Sequence, residues 1–119
     1  MARYLIQAAY SSESWAALVR DPEDRSAPVR AMVEKAGGRL EEFYLSFGDF
    51  DVVCIVDLPD NTSAAAVSIA ASAGRGLKAI ATTPLLSVTE ALGALQQAQA
   101  LGYEAPGHDP DMQTPMYAG

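Results

Sequence analysis

Asp51 is the residue whose type and setting first invite chemistry, because it opens a predicted strand directly after Phe47-Gly48-Asp49-Phe50. A carboxylate at an enclosed surface resists ionisation and can then serve as a general base. The plainer alternative gives Asp51 a turn-fixing role, accepting hydrogen bonds from Ser46 or from hairpin N–H groups. Tyr10, Trp15 and Tyr44 supply rings with an apolar body and a polar tip, and such rings line pockets for small organic molecules. They are expected between the end of the first strand, the first helix and the sheet. Packing is the competing account, above all for Trp15, which shares a helical stripe with Leu18 and Val19. Gln7 and Thr82 are expected on the same sheet face as Tyr44 and Asp51, so the candidate ligand-binding set is Gln7, Tyr10, Trp15, Tyr44, Asp51 and Thr82.

The other reactive types form weaker groupings. His108, the single histidine, has Asp109 and Asp111 nearby, but HDPD after Pro106-Gly107 is ordinary turn chemistry, so no metal site is expected. Cys54, the one cysteine, cannot close an internal disulfide and is expected under the helices as a small hydrophobe. Gly74-Arg75-Gly76 with Lys78 offers N–H groups and two cations to an anion. It precedes a strand and lacks phosphate-loop spacing, so helix termination is the better account. Arg3 and Lys78 also read as edge charges that discourage stray strand pairing. No cofactor is implied, and no nucleophile, base and orienting group assemble from the spacing, so the residues leave catalysis an open question.

Elements must position these groups. Arg3 to Tyr10 is a short apolar run that reads as a strand, and Ser11 or Ser12 caps a helix that ends at Asp21-Pro22. Ser26 caps a second helix with Pro28 in its first turn, an apolar stripe of Val29, Met32, Val33 and Ala36, and a left-handed stop at Gly37-Gly38. From Arg39 to Leu58 the period becomes two, with a two-residue turn at Gly48-Asp49 in which glycine supplies a positive φ. Asp60, Asn61 or Thr62 caps a helix over Ala64 to Ala73 whose alanines and serines permit close packing. Leu77 to Leu86 reads as a fourth strand, with Pro84 marking an edge or a late irregularity, and Ser87-Val88-Thr89-Glu90 opens a last helix to about Leu101. Residues 1–101 therefore form one domain and 102–119 an extended or disordered tail, with Met112, Met116 and Tyr117 available to lie across a neighbour. The expected fold is α+β: a ferredoxin-like split βαβ with a four-stranded antiparallel sheet and helices on one face.

The hairpin assigns the faces. Leu45 pairs with Val52, Tyr44 with Val53, Phe43 with Cys54, Glu42 with Ile55, and Phe47 stands opposite Phe50. Phe43, Leu45, Phe47, Phe50, Val52, Cys54, Val56 and Leu58 then lie under the helices. The other face mixes Glu42, Tyr44, Ser46, Asp51, Val53, Ile55 and Asp57, continued by Leu5, Gln7, Ile80 and Thr82. An apolar patch on that face predicts a sheet-to-sheet homodimer or higher homo-oligomer with a cleft at the interface. The residues that carry these features, Tyr4-Leu5-Ile6, Tyr10, Gly37-Gly38, Phe43-Tyr44-Leu45 and Gly48-Asp49-Phe50-Asp51-Val52-Val53, resemble the GYD domain family over roughly residues 3 to 92. The resemblance implies a ferredoxin-like fold of the dimeric α/β barrel type, found in bacteria, with no established activity. Phe50 stands where the motif has its tyrosine, so a phenolic hydroxyl there has no counterpart.

Composition narrows the partners. Eight Lys and Arg against fifteen Asp and Glu give a formal charge of −7, a field that repels phosphate backbones and anionic lipid, so neither nucleic acid nor a membrane is an expected partner. With no long apolar run and a single cysteine, the sequence reads as cytoplasmic. The favoured function is a dimeric small-molecule binding protein, its apolar or aromatic ligand oriented by Tyr44, Asp51 and Gln7. The alternatives are a cofactor-free oxygenase or isomerase-like enzyme on the same scaffold and a structural or regulatory assembly unit.

Overall fold

A computed structural model describes residues 1–107 of the chain. In order the elements are β1 (Ala2–Tyr10), α1 (Ser12–Arg20), α2 (Ser26–Lys35), β2 (Arg39–Leu45), β3 (Val52–Leu58), α3 (Asn61–Ala73), β4 (Leu77–Leu85) and α4 (Val88–Leu101). The four strands form one sheet in the order β2-β3-β1-β4, every neighbouring pair antiparallel. This is the ferredoxin-like α+β arrangement, and within one chain the sheet is open and not a closed barrel. Met1–Leu85 is one compact unit, and a second begins at Leu86. The tail readings for His108, Asp109, Asp111, Met112, Met116 and Tyr117 lie outside the described residues.

Alternation along β1 and β3 builds the core of the first unit. Tyr4 and Ile6 meet Cys54, Val56 and Leu58 beneath Val33 of α2 and Ala64 and Val67 of α3, and all of these side chains are buried. The buried Tyr4 hydroxyl donates to Asn61 Oδ1 at 2.6 Å, so the largest core ring leaves no polar atom stranded. Val33, at no exposure, carries the α2 stripe, with Val29, Met32 and Ala36 packed around it. Gly37 takes φ +87°, its N–H bonds to the Glu34 carbonyl, and the Gly38 N–H reaches back to Val33. That six-to-one closure ends α2 and turns the chain directly into β2.

The four hairpin pairs from Glu42–Ile55 to Leu45–Val52 stand as the alternation predicts. Below them the register shifts at Glu41, so Leu40 sits opposite Val56, and this bulge swings Leu40 into the core at 7 % exposure. The hairpin tip departs from expectation. The strands stop at Leu45 and Val52, and residues 46–51 form an open loop closed by Ser46 N–H to the Asp51 carbonyl (2.7 Å) and Ser46 Oγ to the Phe50 carbonyl (2.7 Å). Gly48 is not at positive φ, Phe47 is fully exposed and Leu45 largely so. The Asp51 N–H is committed to the Ala8 carbonyl at 2.8 Å, which fixes the start of β3 against β1 and leaves the tip wider than a two-residue turn.

Three further expectations are corrected. Asp24 caps the start of α2 by accepting from the Ser26 N–H (2.9 Å) and hydroxyl (2.6 Å), so Ser26 is inside the helix and is not its cap. Ile80 and Thr82 face the helices: Ile80 packs on the core, and the Thr82 hydroxyl meets that of Ser68 on α3 at 2.6 Å. The reason is register, since they stand opposite the inward-facing Ala8 and Ile6. At the end of α3 the left-handed residue is Arg75 (φ 63°), between Gly74 at ordinary helical φ and Gly76, whose carbonyl accepts from Ser11 N–H and Ser14 Oγ. That loop is thereby tied to the start of α1.

In the second unit Ser87 and Glu90 form the predicted capping box of α4. No side chain of this helix is buried, and Val88, Leu92 and Leu95 are exposed. No helix among the described residues is long and apolar enough to cross a membrane.

Candidate functional site

Between the sheet and helices α1, α2 and α3 lies a cavity of about 670 Å³, within the range of small-molecule sites. Its floor is the helix-facing side of the central strands, including Ile6, Ala8 and Cys54. Its helix side carries small side chains, Ala17 on α1 and Ala70 and Ala71 on α3, and with Ala17 and Ala70 exposed the cavity opens to solvent there. The alanines expected to bring the helices close therefore leave space at this end of α3, although Ala64 one end earlier is packed to 3 % exposure. A side chain of one carbon cannot span a helix-to-sheet gap that valine and leucine fill elsewhere. One side of the cavity carries charge and polarity, from Tyr10 and from Arg20, Asp21, Glu23 and Arg25 around the α1–α2 connection.

Tyr10 links the cavity to a polar cluster at the end of β1. Its backbone N–H donates to Asp51 Oδ2 at 2.9 Å, and the Trp15 indole N–H donates to the same oxygen at 3.2 Å. The rings of Tyr10 and Trp15 meet edge to face, with centroids 5.2 Å apart at 81°. Asp51 was expected on the open face, but its carboxylate turns toward β1 and α1, where the β1–β3 pairing ends at Ala8–Val52 and the carboxylate meets the Tyr10 N–H just beyond it. The carboxylate thus accepts from Tyr10 and Trp15, whereas Ser46 bonds to the Asp51 and Phe50 carbonyls. Burial pushes the Tyr10 hydroxyl above its ordinary pKa, the Arg25 charge beside it opposes this, and Asp51 and Glu23 reinforce it. The phenol is a neutral donor at physiological pH.

The candidate set divides in three. Tyr10, Trp15 and Asp51 converge as described. Gln7 is half-buried on the open face, in register with Val53 and Ala81, and Tyr44 lies 59 % exposed on the edge strand, donating to Glu42 Oε2 at 2.9 Å. Trp15 and Tyr44 also line a shallower groove of about 500 Å³ between α1 and β2. Thr82 is on the helix side against Ser68. Cys54 borders the cavity, and burial raises its thiol to about 11, so it is a protonated wall group. Among the described residues no group of three or more His, Cys, Asp or Glu could hold a metal ion.

Sequence reasoning missed Arg25 and the cavity. Arg25 gave no signal because its significance is its spatial neighbourhood with Tyr10, fifteen positions earlier. The available hint was composition: alanines on α1 and α3 facing a strand that itself carries Ala8. A second feature missed is on the open face, where Asp57 is 8 % exposed. Arg3 grips it through Nε at 2.8 Å and Nη2 at 3.2 Å, with Arg39 at 3.9 Å. The Arg3 hydrogen bond holds the Asp57 carboxyl below its usual pKa, charges from Arg3 and Arg39 add, and desolvation opposes.

The family model described as GYD domain covers residues 4–95. Neither the curated proteins nor the solved structures include a match.

Proposed function

We propose, from the premise that this chain belongs to the GYD domain family, that it is a small-molecule binding protein whose ligand occupies the cavity between the sheet and helices α1 to α3. The observation that carries this reading is the cavity's make-up: apolar walls from three helices and three strands, with charged groups gathered on one side. Water in such an apolar cleft finds few hydrogen-bond partners on the wall, and an apolar ligand gains by displacing it. The working unit in this reading is a homodimer through the open sheet face. Leu5, Val53 and Ile55 form half-buried neighbours across β1 and β3 there, with Gln7 beside them. A second copy would shield that row and place the two Gln7 side chains in a shared cleft. The setting we infer is the bacterial cytoplasm, in keeping with the family and the free Cys54.

Native mass spectrometry of protein purified without denaturation tests the binding reading, with Ala71→Leu as the partner measurement. Filling the cavity should raise stability by about 0.5–2 kcal/mol and eliminate any retained small-molecule mass. A filled variant that keeps its ligand would place the site elsewhere.

A further inference from the structure

The cavity is asymmetric in what it can hydrogen-bond. Over most of its wall Val67, Ile80, Met32 and Leu18 offer nothing but carbon and sulfur to an occupant. Where the wall meets the α1–α2 connection, Tyr10 and Arg25 face it together. Both are donors toward an occupant, since a neutral phenol offers its O–H and a guanidinium has no acceptor atom. Arg25 stands at the start of α2 but makes no side-chain capping bond. Its present partner is Glu23 Oε1 at 3.0 Å, in a pair whose side chains are 38 % and 57 % exposed. Exposed pairs of this kind contribute little, so the guanidinium can be drawn to a less solvated acceptor at small cost.

The geometry points to a ligand class: a carboxylic acid carried on an apolar chain or ring, its hydrocarbon lying between sheet and helices and its carboxylate received by the Arg25 guanidinium and the Tyr10 hydroxyl. This rests on the binding reading above and adds the head group to it. Two observations work against an anion, the overall charge of −7 and the nearby Asp21 and Glu23. The first is a long-range field, screened beyond about 8 Å at physiological ionic strength. The second is offset locally by Arg20 on the same rim, and a planar guanidinium binds carboxylate in a two-point geometry that a distant acid does not cancel. An ammonium head is the competing match to Asp21 and Glu23.

The test uses three probes with one tail: octanoate, octan-1-ol and octylammonium. Trp15, the single tryptophan, packs on Tyr10 and reports occupancy by its fluorescence. Octanoate is expected to bind about tenfold more tightly than octanol, a difference of about 1.4 kcal/mol. Arg25→Met should bring octanoate to the affinity of octanol, and Tyr10→Phe, which removes one oxygen, should weaken octanoate several-fold while leaving octanol unchanged. Circular dichroism confirms that both variants fold. Equal affinity for octanoate and octanol, preference for octylammonium, or octanoate binding untouched by Arg25→Met would each overturn the head-group assignment while leaving the cavity as a binding site. No response to any of the three probes would take down the binding reading with it.

Discussion

Asp51 shows how one side chain settles a local problem that the ladder leaves open. The β1–β3 ladder ends at Ala8–Val52, and the Asp51 carboxylate takes the Tyr10 N–H beyond it together with the Trp15 indole. Asp51→Ala should therefore cost about 1–3 kcal/mol in urea unfolding, the usual penalty for an orphaned buried donor, and alter the emission of Trp15. Asp51→Asn keeps one acceptor oxygen and should cost less; equal losses for the two variants would deny the oxygen this role. At the other end of the sheet Asp57 gives a pH dependence with a definite sign. Its carboxyl is held below the unfolded value by Arg3, so the stability it contributes is complete above about pH 4. That contribution is lost as pH falls through the lowered folded value. Arg3→Gln removes the cause, and acid titration followed by circular dichroism should show its unfolding midpoint moved to higher pH than in the parent.

Among the elements, the α2–β2 junction is the least forgiving. A Cβ on Gly38 would fall inside contact distance of the Asp57 carbonyl oxygen and 2.6 Å from Leu58 Cδ2, with backbone and core as the obstacles. Gly38→Ala must push β2 away from β3 and should lower stability by about 3 kcal/mol or more, measured by urea denaturation. A loss under about 1 kcal/mol would mean that the junction yields. This double glycine was legible in the sequence because it interrupts a helical stripe and precedes a period-two run. The pairing from Glu42–Ile55 to Leu45–Val52 was legible for the same reason, since alternation is a strong local signal. The bulge at Glu41 was not, because one extra residue leaves both flanking alternations intact and only the burial of Leu40 reveals it. The faces of Ile80 and Thr82 were misassigned because β4 pairs with β1 across 70 residues, and no nearby turn fixes its register. The cavity was hidden for a related reason: it lies among small side chains of separate elements, Ala8 on β1, Ala17 on α1 and Ala70 and Ala71 on α3, that no sequence window contains together.

For the whole molecule the proposed association is through the open face. Val53 is half-buried there, flanked by Gln7 in β1 and Tyr44 in β2, and makes no contact needed by the buried core. Val53→Asp should convert a dimer to monomer in sedimentation velocity while the far-ultraviolet spectrum stays folded; an unchanged sedimentation coefficient would remove the sheet-to-sheet interface. The alanine-lined cleft has a different consequence, felt in heat capacity. Its apolar wall is wet while the cleft is empty, so covering it removes hydrated hydrocarbon from the folded state. Association with an apolar occupant should accordingly carry a negative heat-capacity change in calorimetry, growing with the wall area the occupant covers.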